Sequence, residues 1–187
     1  MTGIHRARLL LRQWKQSDHA AFAWLNADPE VMQYFPAALI RSKSDALASH
    51  CHSFSEEHGW GPWAAEERAT GEFLGLIGLC TAPAVLPFAP CVEIAWRLAK
   101  PYWGTGLATE GAAAVLHYAF DTLNMAEMVA FTSVHNVRSE AVMQRLGMQR
   151  DAFSFAHPSL PPDHWLSEHC LYRKATTCAT TRKGQEK

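Results

Sequence analysis

The sequence predicts an α+β fold in which helices flank a mixed, mostly antiparallel sheet. In the first half of the chain, short apolar or alternating runs separated by turn residues predict antiparallel strands. In the second half, a strand at Val92–Leu98, a glycine turn and an amphipathic helix at Leu107–Leu123 follow one another. This helix is long enough for a right-handed crossover to a parallel strand that begins at Met125. We therefore expect about six or seven strands and about four helices.

Periodicity and turn signals assign the elements in order. Helical spacing predicts four helices, at about Asp18–Asn26, Ser42–Glu57, Leu107–Leu123 and Asn136–Leu146. Strand patterns occur at about Arg8–Gln13, Trp60–Glu66, Phe73–Cys80, Val92–Leu98, Met125–Ser133, Met148–Phe155 and Ser167–Lys174. Asp18 and Ser42 or Ser44 are the candidate N-caps of the first two helices, and Gly147 ends the last helix. Three prolines between residues 83 and 90 exclude that segment from the sheet interior.

Composition limits the classes of protein to consider. The 187 residues are 48% hydrophobic and 19% charged, which predicts one globular domain over residues 1–174, followed by a disordered tail over residues 175–187. Lys and Arg total 17 against 18 for Asp and Glu, so we expect neither direct nucleic acid binding nor membrane association. Five cysteines without Cys-x-x-Cys spacing, and with no signal peptide recognised ahead of them, indicate reduced thiols in the cytoplasm.

The segment Trp103–Ala108 is the most informative stretch of the chain. Its two glycines, Gly104 and Gly106, stand where a strand gives way to a helix. Glycine lets the backbone approach an anion closely, and the first free N–H groups of a helix point at that anion. No Lys-Ser or Lys-Thr follows, as a P-loop would require, and Thr109 occupies the place of the third glycine in a dinucleotide fingerprint.

This loop resembles the pyrophosphate loop of the GCN5-related N-acetyltransferase (GNAT) superfamily, whose motif is Gln or Arg, two residues, Gly, one residue, and Gly or Ala. Trp103, Gly106 and Ala108 occupy the three motif positions, with Trp103 in place of Gln or Arg. The longer segment Pro101–Glu110 is similar to the ribosomal-protein-alanine acetyltransferase (RimJ/RimL-like) branch. Three further stretches resemble that branch in the same order, Arg8–Arg12 with Asp18, Asn26–Met32, and Asn136–Ser139 running to Leu146–Met148. The resemblance covers about Arg6 to Lys174.

The resemblance implies an enzyme that transfers acetyl from acetyl-CoA to a primary amine by direct attack in a ternary complex. It implies that the two central parallel strands splay apart, so that pantetheine lies between them like an added strand. A protein N-terminal α-amine is the favoured acceptor, small-molecule amines are an alternative, and a homodimer is common among relatives. Two other classes remain open, a non-catalytic acyl-CoA-binding regulatory domain and a peptide-binding module whose glycine loop is only a turn.

Glu93 is the candidate general base, since it lies on the strand before the loop and matches a position from which family members supply a base. The competing interpretation is an ordinary solvated glutamate. Asp163 and Glu168 are the weaker carboxylate candidates. Met143 occupies the place of the tyrosine that serves many family members as general acid, and the resemblance places Ser139 near the cofactor sulfur.

The expected cofactor-binding residues lie in three segments. Backbone donors of Ile94, Ala95 and Trp96 would hold the thioester oxygen; the loop would contribute Trp103, Gly104, Thr105, Gly106, Leu107, Ala108 and Thr109; and Asn136 and Ser139 would contribute from the last helix. Asn136 is equally expected as a helix cap, Ser139 as an ordinary helical serine, and Arg138 and Arg145 are weak candidates for the 3′-phosphate.

Other reactive side chains receive structural interpretations. Cys91 is expected to be an inert thiol without an activating histidine. His50, His52 and His58 lack a completing ligand set, so we expect surface histidines and no metal site. Aromatic residues, of which one or two would contact the acceptor, are Trp24, Tyr34, Phe35, Trp60 and Trp63.

Overall fold

The computed structural model describes residues 3–176, which form nine strands and four α-helices. The strands are β1 Ile4–His5, β2 Leu9–Arg12, β3 Pro62–Glu67, β4 Phe73–Thr81, β5 Val92–Leu98, β6 Glu127–Ser133, β7 Gln149–Arg150, β8 Phe155–Ala156 and β9 Glu168–Ala175. The α-helices are α1 Asp18–Ala27, α2 Arg41–His58, α3 Leu107–His117 and α4 Val137–Arg145. A 3₁₀ turn at Lys100–Tyr102 precedes α3, and a π-helical turn at Tyr118–Thr122 extends it.

All strands belong to one sheet, with the order β1-β2-β3-β4-β5-β6-β9-β7 and with β8 also paired to β9. Every pairing is antiparallel except that of β5 with β6. Along the β4 side, all seven residues of β5 are in register with a partner, whereas on the β6 side only Glu93 pairs, with Val129. The two parallel strands therefore part immediately after Glu93, as the splay expected from the resemblance requires.

Helices cover both faces of the sheet. Alternate residues of a strand point to opposite faces, and β3 shows the result, because Trp63 and Ala65 join the core beneath α3 and α4 while Ala64 joins the core beneath α1 and α2. α3 lies close to the sheet at Gly111, where an added Cβ would be 2.4 Å from Ile77 Cδ1. This close contact fixes the position of α3 and of the glycine loop before it. No helix among the described residues is long and apolar enough to cross a membrane.

The structure corrects several local expectations. Residues 3–176 form nine strands rather than six or seven, because β1 was not foreseen and the expected strand at Met148–Phe155 is divided into β7 and β8. The expected N-caps Asp18, Ser42 and Ser44 are wrong, since Ser17 and Ile40 precede the helices and neither caps with its side chain. The tail prediction fails at Ala175, which ends β9, and its part from residue 177 onward lies outside the described residues.

A buried ion-pair cluster explains why Asp18 is not a cap. Arg12 donates from both terminal nitrogens to the Asp18 carboxylate, at 2.7 and 2.9 Å, and from Nε to Glu66. The Asp18 side chain is 4% exposed, and its Oδ2 also accepts from the Lys15 backbone N–H at 2.8 Å. Arg12 on β2 thus connects Glu66 on β3 with Asp18 at the start of α1.

Removing the Asp18 carboxylate should destabilise the protein strongly. Asp18→Ala leaves the buried Arg12 guanidinium without its main partner, and the expected loss is about 3–5 kcal/mol of unfolding free energy. Arg41→Ala is the matched control, because it breaks an ion pair with Asp45 in which the arginine side chain is 60% exposed, and should cost less than about 1 kcal/mol. Urea unfolding measures both changes, and equal losses would contradict the role assigned to the cluster.

Candidate active site

A cavity of about 1070 Å³ opens where β5 and β6 part. Its walls come from β5, from the glycine loop with the first turn of α3, from the start of α4, and from the segments at residues 30–36 and 157–160. Every residue assigned to the site from sequence lines this cavity, namely Glu93, Ile94, Ala95, Trp96, Trp103, Gly104, Thr105, Gly106, Leu107, Ala108, Thr109, Asn136 and Ser139. The structure thus brings together three segments of which the first begins at Glu93 and the last ends at Ser139, more than forty residues later in the sequence.

The gap between the strands leaves backbone groups of β5 available. In the described sheet, β6 makes no register pair with Ile94, Ala95 or Trp96, although β4 pairs with all three. Backbone N–H and C=O groups need partners when water is excluded, so this edge can bind an extended chain that supplies its own amides. The donors expected to hold the thioester oxygen lie on this edge.

The glycine loop has the backbone conformation that only glycine adopts readily. Gly104 has φ +74° and Gly106 has φ +83°, and an added Cβ at Gly104 would meet nothing within 4 Å. The Glu110 N–H donates to the Gly106 carbonyl, so the amides of residues 107–109 precede the first helical bond and remain available. Together with the positive end of the helix dipole, they form a site for an anion such as a diphosphate.

Arg8 supports this loop from the other side, a role that its position in the sequence did not reveal. Its Nη1 donates to the Thr105 carbonyl at 2.8 Å, and its Nε and backbone N–H donate to the Glu110 carboxylate at 2.7 and 3.1 Å. Thr105 Oγ1 also donates to the Tyr102 carbonyl at 2.7 Å. These contacts hold both ends of the glycine turn, so the anion site exists before a ligand arrives.

Trp103 joins the loop to its neighbours. Its indole N–H donates to the Leu98 carbonyl at 2.8 Å, and the Arg138 guanidinium lies over its ring, 4.7 Å from the centroid. The tryptophan therefore connects the end of β5, the loop and the first turn of α4. Gln or Arg, the residues of the general family motif, would contribute a polar side chain here but no ring for Arg138 to cover.

Asn136 caps α4, as expected, because its Oδ1 accepts from the Ser139 N–H at 3.2 Å. Its amide nitrogen donates to Thr132 Oγ1 at 3.0 Å and to Ser139 Oγ at 3.1 Å, which uses both of its hydrogens. Because Ser139 Oγ accepts from Asn136, the Ser139 hydroxyl proton remains free to point into the cavity. The cofactor contact expected for Asn136 stays a prediction.

Glu93 is the cavity carboxylate whose protonation the fold alters most. It is half-buried in the wall of the cavity, and within residues 3–176 its carboxylate has no hydrogen-bond or ion-pair partner. Burial raises the pKa of Glu93 to about 8, because the charged form loses solvation without gaining a cation. Its pKa therefore lies close to that of an α-amino group, about 8.

The other reactive candidates lie away from this cavity. Asp163 and Glu168 are exposed and do not line it, and Glu168 accepts a hydrogen bond from Ser154. No described cysteine lines the cavity, and burial raises the pKa of the Cys91 thiol. His50, His52 and His58 lie on α2, also outside the cavity, and the described residues contain no group of three or more potential metal ligands.

Of the five aromatic residues proposed for the groove, the structure places two in it. Tyr34 and Phe35 line the cavity, while Trp24 is 80% exposed and Trp63 is 2% exposed in the core. Trp60 packs against the core cluster beneath α3. Met143 also lines the cavity, at 2% exposure, and brings no ionisable group to it.

Sequence reasoning missed two histidines. His157 and His169 both line the cavity, with ring centroids 4.9 Å apart. His169 is 7% exposed on β9, and His157 follows β8. The available signal was a histidine within the otherwise apolar part of the strand predicted at Ser167–Lys174. Its partner His157 follows the short strand β8, which the sequence did not predict as a separate element.

A strand gap, a helix N-terminus with free amides and an unpaired carboxylate lie in one cavity, an arrangement that suits an extended anionic ligand. A family model described as an acetyltransferase (GNAT) domain matches residues 8–149. The Bacillus subtilis protein YkkB, itself uncharacterized, is 31% identical over 142 residues, covering 75% of this chain and 81% of that protein. The FsC-acetyl coenzyme A-N(2)-transacetylase of Aspergillus fumigatus is 30% identical over 166 residues, covering 85% and 70%.

Solved structures show the same fold. An acetyltransferase from Agrobacterium tumefaciens has a TM-score of 0.76 at 26% identity, covering 94% of this chain and 95% of that one. The ribosomal L7/L12 α-N-protein acetyltransferase RimL, solved in complex with coenzyme A, has a TM-score of 0.72 at 15% identity, covering 92% and 97%. The chain belongs to the GNAT acetyltransferase family and is an N-acetyltransferase; acetyl-CoA is the co-substrate of that family.

Substitution of Gly106 should weaken coenzyme A binding, whereas substitution of a glycine with the same backbone conformation elsewhere should lower only the stability of the protein. Gly106→Val places methyl groups in the space that a diphosphate needs, so coenzyme A affinity should fall by at least about 100-fold in calorimetric titrations. Gly71→Val is the matched control, because Gly71 has φ +75° and equally open surroundings in the turn between β3 and β4. Both variants should lose about 1–3 kcal/mol of stability. Unchanged affinity in Gly106→Val would contradict the assignment of the loop.

Proposed function

We propose that this protein transfers an acetyl group from acetyl-CoA to the α-amine of a protein N-terminus, by direct attack in a ternary complex. The observation that carries the proposal is the position of Glu93. An unpaired carboxylate stands where the parallel strands part, in the same cavity as the amides of the glycine loop. A donor bound along β5 and an amine entering from the opposite end would meet beside that carboxylate.

The donor site is assigned to groups that the fold already orients. Bound acetyl-CoA supplies an acetyl group activated as a thioester. The amides of residues 107–109 would hold its diphosphate, and the open edge of β5 at Ile94–Trp96 would bind its amide-containing arm. Arg138 and Arg145 border the same cavity from α4 and supply positive charge for a further phosphate.

Glu93 is assigned to receive the proton of the acceptor. An α-ammonium group with a pKa of about 8 must lose a proton before its nitrogen can attack. Since burial raises the pKa of Glu93 to about 8, proton transfer between the two groups is nearly balanced in free energy. A lysine side chain, with a pKa of about 10.4, would give up its proton less readily to the same carboxylate.

Direct transfer fits the residues present in the cavity. A covalent acetyl-enzyme needs a nucleophile such as a thiolate, but no described cysteine lines the cavity, and burial raises the pKa of the Cys80 and Cys91 thiols. With Met143 at the family's usual tyrosine position, we assign to the Ser139 hydroxyl a hydrogen bond that stabilises the leaving thiolate. The proton that Glu93 takes from the amine passes to the thiolate or to solvent as the products leave, which returns Glu93 to its carboxylate form.

The charges around the cavity favour an acceptor with a single amine. Three carboxylates line it, but Glu30 pairs with Lys100 and Glu110 pairs with Arg8, which leaves Glu93 alone. A polyamine or aminoglycoside would need several unpaired carboxylates. RimL, which shares the fold, is named for an α-N-protein activity. The name of the Aspergillus fumigatus relative, an FsC N(2)-transacetylase, supports a small-molecule amine as the second candidate.

An acceptor screen should show a preference for peptide N-termini. Thiol release from acetyl-CoA is measured with short peptides that have free N-terminal amines, with N-acetylated peptides containing lysine, with spermidine and with an aminoglycoside. We expect kcat/KM for the free N-terminus to exceed that for the lysine peptide by at least about 10-fold, because of the difference in amine pKa. Faster release with spermidine or the aminoglycoside would contradict the proposed acceptor class.

Substitution of Glu93 should lower turnover and remove the contribution of Glu93 to its pH dependence. For the wild type, kcat/KM should rise with pH and level off above about pH 8, where the Glu93 carboxylate is deprotonated. Glu93→Gln should lower kcat by about 100-fold or more and make the ascending limb shallower, leaving only the ionisation of the acceptor amine, with coenzyme A affinity retained. Glu168→Gln, which changes an exposed carboxylate outside the cavity, is the control. Equal activities for Glu93→Gln and wild type from pH 6 to 9 would remove Glu93 from the mechanism.

A further inference from the structure

His157 and His169 occupy the part of the cavity wall that neither the glycine loop nor the β5 edge uses. Both rings contact Phe131 on β6, with centroid separations of 6.3 Å in each case. Phe155 adds a second aromatic neighbour, 5.6 Å from the ring of His169. The two histidines therefore lie among apolar rings, and within residues 3–176 neither forms an ion pair with a carboxylate.

Backbone contacts assign each ring a tautomer. His169 Nδ1 lies 3.1 Å from the Ser167 carbonyl oxygen, which can only accept, so Nδ1 carries the hydrogen and Nε2 retains its lone pair. His157 Nδ1 accepts from the Ser159 N–H at 3.2 Å, so the hydrogen of the neutral ring is on Nε2. The Nε2 atom of His169 is thus a hydrogen-bond acceptor, and the Nε2–H group of His157 is a donor. Neither Nε2 atom has a hydrogen-bond partner among the described residues.

Both rings are neutral at physiological pH. Burial lowers the pKa of His169, with a further lowering from His157, and burial also lowers the pKa of His157. A neutral donor beside a neutral acceptor is a poor match for a carboxylate or an ammonium group. It matches an extended peptide, because one residue of a strand presents its N–H and its C=O on the same side.

The sheet register gives the distance to the reacting end. Glu93 pairs with Val129, and His169 pairs with Ser133, so all four side chains lie on one face of the sheet. Four residues of β6 separate these two levels, which is about 13 Å at about 3.3 Å per residue. Side chains stand roughly perpendicular to the sheet and lean only partly along the strand, so this separation corresponds to about three to four residues of an extended acceptor.

We propose that His157 and His169 bind the backbone N–H and C=O of one residue, the third or fourth, of a peptide whose N-terminal amine lies at Glu93. His157 Nε2–H donates to the peptide carbonyl, and His169 Nε2 accepts from the peptide N–H. The site therefore selects an extended peptide over a single amino-acid amide. This inference rests on the proposed function and specifies its acceptor.

The test compares acceptors of increasing length with the full-length protein. Thiol release is measured with alaninamide, Ala-Ala-NH₂ and Ala-Ala-Ala-NH₂, which share an N-terminal residue and differ in reach. For the wild type, kcat/KM should rise by roughly tenfold or more from alaninamide to the tripeptide amide, as two added hydrogen bonds would give. His169→Phe and His157→Phe keep an aromatic ring but remove the polar nitrogens, and each should reduce the tripeptide-to-alaninamide ratio several-fold.

Two further variants make the test specific. His169→Gln returns a side-chain acceptor to the cavity and should restore part of the length preference that His169→Phe loses. His58→Phe, at an exposed position on α2, should leave the preference unchanged. Thermal unfolding confirms that each variant is folded, and if His169→Phe does not fold, His157→Phe, which lies outside the sheet interior, decides the test.

The outcomes distinguish this inference from the proposed function. Equal kcat/KM for alaninamide and the tripeptide amide in the wild type, or a length preference that survives both His→Phe substitutions, would overturn the histidine assignment while leaving N-terminal acetylation intact. Release with spermidine or an aminoglycoside, but with none of the three alanine acceptors, would overturn the proposed acceptor and this inference together.

Discussion

The candidate site depends on a single pairing in the sheet. β5 and β6 meet at Glu93 and Val129 and then part, while each stays fully paired on its other side. Because both strands are anchored by their outer neighbours, the gap between them does not collapse. It exposes the edge of β5, creates the cavity and leaves the Glu93 side chain at the apex. A second or third register pair between these strands would close the site completely.

The unpaired Glu93 carboxylate lowers the stability of the folded protein at the candidate active site. Burial raises the pKa of Glu93 to about 8, so the folded protein binds that proton more tightly than the unfolded chain does. The cost is absent at low pH and grows as the pH rises from the ordinary glutamate range to about 8. A salt bridge would remove the cost, but it would also lower the pKa of the carboxylate and weaken it as a proton acceptor. In the proposed mechanism, the unpaired state of Glu93 is what keeps it a proton acceptor for the amine.

Local patterns in the sequence predicted local features well. The positive φ angles of Gly104 and Gly106 and the cap formed by Asn136 follow from residue type and position alone. Arg8, which supports the loop from about one hundred residues away, could not be predicted, because no periodicity links it to Glu110. For the same reason Asp18 was interpreted as a helix cap, although its carboxylate is committed to Arg12. In the first case the ion pair is too distant in sequence to be read from a local pattern, and in the second an ion pair with a residue on the preceding strand outcompeted the local preference for capping.

The departures from the family motif are connected to one another. Trp103 replaces a polar residue, and its ring supports Arg138, which ties α4 to the glycine loop. That contact lies next to the cap in which Asn136 orients Ser139, so the loop, the helix start and the serine hydroxyl form one connected unit. Met143, one helical turn beyond Ser139, packs into the core and cannot supply a proton. In the proposed mechanism the Ser139 hydroxyl is then the nearest remaining donor for the thiolate, and the Trp103–Arg138 contact helps to hold the start of its helix from the loop side.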